Sequence, residues 1–414
     1  MLLDDERGLR VSRYQPARRG AFSGAPNTVD TVDAVVTDVH TGSSLAGLRD
    51  LGRAGHRVLA LADDASAAGM RSRYATVSAQ APNSDADPLG FVRRVADLAH
   101  AHGPFVFYPA GESAIHAVLA HGAELPSAAT LPFARLDSLR ELRDKRELSR
   151  LAAGAGLATP STLMEATASE IALAPPALPF AVKQVLPEGS LKKRTRIIRT
   201  PAQLDALITD VPPDEPLLLQ EYAEGPLIGL ALVLDHDGRL IARFQQYARR
   251  LWPVEAGGST LAVSMAPDED LVARGTRMLA ATGFTGLAQL QFLRTNRGLA
   301  LIDVNPRFYG SMALATASGV NLAEAWHASV SGAPSKPVPA YRAGVHYRWL
   351  EGDLTAALNG FPRRMFARTP TPRTGQAWAS DDPMPGVVIA TKAIDARIRQ
   401  RLRAAGSALA RNRD

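Results

Sequence analysis

Gly286-Leu-Ala-Gln289-Leu-Gln291-Phe-Leu-Arg-Thr-Asn-Arg-Gly298-Leu-Ala-Leu-Ile-Asp303-Val-Asn305-Pro-Arg307 reads as two β-strands joined by a turn at Asn296 to Gly298. Side chains alternate faces along a strand. Gln289 and Gln291 therefore share one face of the first strand, and Asp303 and Asn305 share one face of the second. Oxygen donors on neighbouring strands can converge on one hard cation. Carboxylate and amide oxygens suit Mg²⁺, which keeps several waters and completes its shell with phosphates. Arg307, just past Pro306, adds a planar fork of donors for the same phosphates. On its own the segment is equally compatible with a polar edge hairpin carrying a surface arginine.

Upstream, Phe180 to about Met265 is rich in strands, with a hairpin turn at Asp235-His-Asp-Gly238, and a helix spans Glu269 to Ala281. Residues 166–180 hold Pro175, Pro176, Pro179 and many alanines, and read as a connection between subdomains. Leu136 to Ala155 is helical and charged, with Lys145 inside it, and Pro160 stops it. Earlier still, Ala34-Val-Val-Thr37, a small-residue turn at His40 to Ser44, helical spacing from Leu45 and the strand Arg57 to Leu61 give strand–turn–helix–strand. That order opens a doubly wound α/β unit. The turn lacks a full G-x-G-x-x-G, and Asp63 and Asp64 are a weak ribose signal, so the unit reads as Rossmann-like without a cofactor of its own.

Several of these residues together resemble the ATP-grasp superfamily over roughly residues 32–335. Asp303-Val-Asn-Pro-Arg307 is similar to the Glu-x-Asn-Pro-Arg signature of its metal site, and Gln291-Phe292 to a Gln-Phe pair of carbamoyl phosphate synthetase. Lys145 and Lys183 match two lysines that contact nucleotide phosphates. Gln220-Glu221-Tyr222 sits where the hinge holds adenine. Tyr247 to Ser259, with Arg250 and Gly257-Gly258-Ser259, resembles the corresponding region of carboxylate–amine ligases, and a paired-glycine loop lets backbone N–H groups approach an anion. Gly310 and Ser311 extend that surface.

The resemblance implies ATP and Mg²⁺ as cofactors, with Gln291, Asp303 and Asn305 as metal ligands. Lys145, Lys183, Gln220, Glu221 and Tyr222 would hold the nucleotide. Arg307 and Arg250 would act in catalysis, and Gly257, Gly258, Ser259, Gly310 and Ser311 would contact substrate. Three departures stand out: Asp303 replaces the commoner Glu, Pro226 to Gly229 offers no acid for the ribose, and the loop Pro187 to Lys193 has one glycine, with Lys192 and Lys193 as electrostatic substitutes.

Composition bounds the rest. The chain has 414 residues, 46% hydrophobic and 21% charged, with no cysteine, which excludes disulfides, thiolate metal sites and a cysteine nucleophile. No apolar run reaches the roughly 18 residues of a membrane span. Near the N-terminus Asp4, Asp5 and Glu6 stand where a signal peptide would have its basic region. The formal charge of +6 is concentrated from Lys392 to Asp414, where seven Lys/Arg face two Asp. Without aromatic residues this tail reads as a solvated helix, not a nucleic-acid contact. There is no Walker motif, no H-E-x-x-H, and Ser190 to Lys193 matches S-x-x-K by letters only. His100 and His102 lack companions for zinc.

The expected architecture is α/β. It comprises a mobile arm over 1–30, a Rossmann-like domain over 31–135, a two-subdomain ATP-grasp fold over 136–335 with a lid about 180–220, and a C-terminal extension over 336–414. The expected activity is a cytoplasmic ATP-dependent carboxylate–amine ligase working through an acyl phosphate. A bicarbonate-activating enzyme and a non-catalytic nucleotide-binding module are the alternatives. Expected partners are small-molecule carboxylate and amine substrates, with one on a carrier protein as a weaker option, no membrane, and an assembly compatible with a homodimer.

Overall fold

The computed structural model describes residues 31–186, 195–333, 338–362, 374–395 and 399. The N-terminal arm, the loop with Lys192 and Lys193 and most of the basic tail lie outside the described residues.

The first unit is a five-stranded parallel sheet in the order β3-β2-β1-β4-β5. Its strands are β1 (Ala34–Val36), β2 (Val58–Ala62), β3 (Ala75–Gln80), β4 (Phe105–Tyr108) and β5 (Ala129–Thr130), and its helices are α1 (Gly42–Arg53), α2 (Pro88–His102) and α3 (Glu112–His121). Thr41 caps α1 by accepting from the Ser44 N–H, which sets the start three residues before the apolar spacing begins. Alternation on β1 feeds both faces of the sheet. Ala34 and Val36 join Leu48 and Leu51 of α1 in one core, while Val35 packs with Phe91 and Val92 of α2 in another.

The charged helical stretch is two helices, α4 (Leu136–Arg143) and α5 (Lys145–Gly154). Asp144 breaks the run with ψ 115° and caps α5 through its side chain, which accepts from the Arg146 N–H. Lys145 is therefore the first residue of a helix, not a mid-helix surface position.

Next come β6 (Thr162–Thr167), α6 (Ala168–Leu173), β7 (Phe180–Gln184), β8 (Thr195–Ile198), α7 (Pro201–Asp210) and β9 (Pro216–Glu221). The four strands form an antiparallel sheet, β6-β9-β7-β8. The Ala/Pro-rich stretch expected to be a connection thus holds the end of an edge strand and a helix, α6, that starts in a full Thr167–Glu170 capping box. β6 is mostly exposed and has little apolar alternation to betray it. The sheet has its own small core, with Phe180, Val182, Ile198, Leu217 and Leu219 at its centre.

The large sheet runs β14-β13-β10-β11-β12-β15-β16. Its members are β10 (Leu227–Leu234), β11 (Leu240–Trp252), β12 (Gly258–Met265), β13 (Gly286–Thr295), β14 (Gly298–Asn305), β15 (His346–Arg348) and β16 (Thr374–Gly375), and its helices are α8 (Glu269–Ala281), α9 (Ala313–Ser318), α10 (Leu322–Val330) and α11 (Leu350–Leu358). β10 is buried along its whole length, so it reads as a continuous apolar run. The Asp235–Gly238 turn closes on Asp235 Oδ1, which accepts from the N–H groups of Asp237 and Arg239, with Gly238 at φ +75°. Beyond β16 the chain returns to the first unit. There Asp382, 1% exposed, accepts from Arg49 Nε at 2.8 Å, from Ser72 Oγ at 2.7 Å and from the Arg73 N–H at 2.9 Å. Among the described residues, no helix is long and apolar enough to cross a membrane.

Candidate active site

β13 and β14 pair antiparallel, with Gln289 opposite Asn305 and Gln291 opposite Asp303. The four polar side chains fall on one face as two cross-strand pairs, the arrangement alternation requires. Just past Asp303 the register shifts from Gln291–Asp303 to Phe292–Leu301, leaving Ile302 as an extra residue in the ladder. Such a bulge re-aims the backbone. The Ile302 carbonyl accepts from Lys183 Nζ at 2.8 Å.

Lys183 is the penultimate residue of the strand β7 and is 8% exposed. Burial pushes its pKa down to about 8, the Asp303 carboxylate opposes that shift, and the Lys145 ammonium adds to it. Lys145 donates from its ammonium to Asp303, and its backbone N–H donates to the Val185 carbonyl at the end of β7. The two lysines and the carboxylate thus meet between the small sheet, α5 and the β13–β14 hairpin.

These groups line a cleft of about 1090 Å³ between the small and large sheets. Gln220, Glu221 and Tyr222 line it too. Gln220 Oε1 and Gln184 Nε2 are buried there with no hydrogen-bond partner among the described residues. Both residues line the cleft, and a buried donor and a buried acceptor left unpaired cost roughly 1–3 kcal/mol each. Glu221 is ion-paired to Arg297 in the hairpin turn. Arg199 stacks on Tyr222, 4.3 Å from the ring centroid, donates to its hydroxyl at 2.7 Å and pairs with Glu255 at 2.9 Å.

Sequence reasoning missed Gln184, Glu112 and Arg143, all of which line the cleft. Glu112 is the first residue of α3 in the first unit. It accepts from Arg307 Nε at 2.8 Å and Arg143 Nε at 3.2 Å. Arg307 also reaches Asn305 Oδ1 at 3.4 Å and is itself outside the cleft lining. Only an acid at a helix N-terminus signalled Glu112, a commonplace feature. Arg250 lines no described cavity. It pairs with Asp353, 0% exposed, at 2.7 Å, and Arg348 pairs with the same oxygen at 2.8 Å. Gly257 and Gly258 line both the cleft and a small side pocket, while Ser259, Gly310 and Ser311 line that pocket alone. Gly258 is the first residue of β12, paired with Trp252, not part of an open loop.

Among the described residues no three His, Asp or Glu side chains cluster as a metal site. A single carboxylate, Asp303, with the amides Gln291 and Asn305 fits Mg²⁺, because that ion takes one or two carboxylates and leaves the rest of its shell to phosphates and water.

The architecture is that of the ATP-grasp fold. Residues 214–353 match the model of the family described as ATP-grasp in the biosynthetic pathway with Ter operon. N5-carboxyaminoimidazole synthetase from Staphylococcus aureus superposes with a TM-score of 0.60 at 13% identity, over 81% of this chain and 88% of that one. The biotin carboxylase domain of 2-oxoglutarate carboxylase from Hydrogenobacter thermophilus, solved with MgADP and bicarbonate, gives 0.58 at 16% identity over 77% and 74%. L-amino acid ligase from Bacillus licheniformis gives 0.53 at 15% identity over 74% and 75%. No curated protein sequence matches the chain.

Proposed function

We propose that the protein is an ATP-dependent carboxylate–amine ligase that forms an amide bond through an acyl phosphate and releases ADP and phosphate. The observation that carries the proposal is the meeting of Lys145, Lys183 and Asp303 in a cleft that also holds two unpaired amide atoms, Gln184 Nε2 and Gln220 Oε1. In this reading the base lies against Gln184 and Gln220 to Tyr222, with Glu224 available to the ribose hydroxyls. The triphosphate points toward the lysines. A substrate carboxylate oxygen attacks the γ-phosphorus, the bond to the β–γ bridging oxygen breaks, and ADP leaves with its new charge facing Lys145 and Lys183. The amine nitrogen then bonds to the acyl carbon as the carbon–oxygen bond to phosphate breaks, and the departing phosphate takes the surplus proton.

Gln291, Asp303 and Asn305 would hold Mg²⁺, whose chemistry is to neutralise charge on the phosphates. Lys145 must then leave Asp303 for a phosphate oxygen. Arg307, tethered by Glu112, orients the Asn305 amide from behind. Arg250 stays with Asp353 and supports β11 rather than the reacting atoms. The small sheet, with its separate core, serves as a lid over residues 162–221, and the first unit as a Rossmann-like domain without a cofactor of its own. The reaction belongs in the cytoplasm, where ATP is plentiful.

The test is ADP release with Mg-ATP against pairs of carboxylates and amines. Asp303→Ala should lower the rate about 10²–10³-fold, the scale of losing one preorganised electrostatic group, while the far-UV circular dichroism is unchanged. Full turnover in that variant refutes the site. ADP release that needs only bicarbonate refutes the ligase in favour of a carboxylase, and binding with no ADP release across the panel refutes catalysis.

A further inference from the structure

Beside Gln291 a second cavity, about 100 Å³, branches from the cleft and shares Leu227, Gly257, Gly258 and Gln291 with it. One water occupies about 30 Å³ in the liquid, so the branch takes a group of a few heavy atoms. Among the described residues no charged side chain lines it. Its polar side chains include the amides of Gln246, Gln289, Gln291 and Gln376 and the hydroxyls of Ser259 and Ser311, with Tyr347 and Trp349 beside them. Arg250 and Arg348, on the adjoining strands, both turn to Asp353 instead.

Gln246 is 3% exposed. One end of its carboxamide donates to Ser311 Oγ at 2.5 Å, and the other, Oε1, is buried with no partner among the described residues. A group left so is short of one hydrogen bond. The glycines make a second, independent point. Gly258 and Gly310 have ordinary φ, and a Cβ there would meet nothing closer than Trp349 at 3.8 Å and Gln376 Nε2 at 3.5 Å. Neither backbone conformation nor crowding asks for glycine at these positions. Their missing side chains leave room in the pocket.

We infer that this pocket binds an uncharged polar group carrying N–H, a primary carboxamide or a neutral amine, and excludes a carboxylate. In the metal-free protein a free carboxylate would meet no cation among the described side chains of the pocket to offset its desolvation, and an ammonium would meet no carboxylate among them. Taken with the ligase reading, on which this step rests, the amine substrate presents an uncharged N–H group to this branch.

Saturation-transfer NMR on the full chain with acetamide, acetate and methylammonium as probes tests the assignment. Acetamide should bind at least tenfold more tightly than either ion. Gln246→Leu removes the unpaired amide and Gly310→Ala fills the space, and each should weaken acetamide at least tenfold with MgADP affinity unchanged. Acetate binding as well as acetamide, no acetamide binding, or acetamide binding intact in both variants overturns the inference. Failure of the wild-type chain to bind MgADP strikes the ligase reading instead, and the acetamide comparison still decides the pocket.

Discussion

Replacing Lys183 by methionine should move stability and nucleotide affinity in opposite directions. The side chain is 8% exposed, and its pKa falls from 10.5 to about 8 on burial. At 1.36 kcal/mol per unit, holding the charge inside the fold costs about 3 kcal/mol. Methionine removes that cost but leaves the Ile302 carbonyl without its donor, which costs about 1–3 kcal/mol. The nucleotide-free variant should therefore be as stable as the wild type or up to about 2 kcal/mol more stable. Below pH 8 the ammonium is charged in both states and the cost is complete. Between pH 8 and 10.5 the unfolded chain binds more protons than the folded one, so wild-type stability rises with pH and the gap to the variant closes. A charge-assisted hydrogen bond to phosphate is worth about 1.5–3 kcal/mol, so MgADP affinity should fall about 10- to 150-fold. Urea unfolding at pH 7 and 10 with calorimetric titration of MgADP measures both quantities. A variant destabilised by more than about 2 kcal/mol that binds MgADP as the wild type does would make Lys183 a structural brace and refute the reasoning.

Asp382→Ala should destabilise the protein by about 3–5 kcal/mol, because Arg49 is left buried without its carboxylate; a shift below about 1 kcal/mol in urea unfolding would show that the contact carries little. Burial, with a smaller push from His56, holds His327 at about 4, while Asp33 opposes the shift. Its ring lies tilted against that of His56, centroids 4.1 Å apart, His56 pairs with Glu324, and His327 Nδ1 meets the Tyr108 hydroxyl at 3.1 Å. The folded-state pKa lies below the unfolded 6.5, so stability should drop by about 3 kcal/mol as pH falls from 6.5 to 4. His327→Gln should flatten that slope in a pH series of urea midpoints, and an unchanged slope would count against it.

What could be read from the chain alone depended on whether the signal was local. Two-residue alternation places Gln289, Gln291, Asp303 and Asn305 on one face without any tertiary knowledge, and the register pairs them across the hairpin. Lys183 announced itself as a charge closing an apolar strand. Glu112 gave no such sign, since its partner Arg307 lies 195 positions away and nothing local marks a residue for a distant cation. Arg250 looked available because the acid that occupies it, Asp353, belongs to a helix about a hundred residues later in the chain. The edge strand β6 escaped notice because an exposed strand has no apolar face to alternate with. The bulge at Ile302 is a property of pairing, not of either strand's composition.

The return of the chain's end to Arg49 has a consequence for biosynthesis. The 333 positions between Arg49 and Asp382 take roughly 15–65 s to translate at 5–20 residues per second. For that interval the nascent first unit carries a guanidinium destined for burial with no carboxylate to receive it. That face stays hydrated, and its packing is completed only when Asp382 emerges from the ribosome.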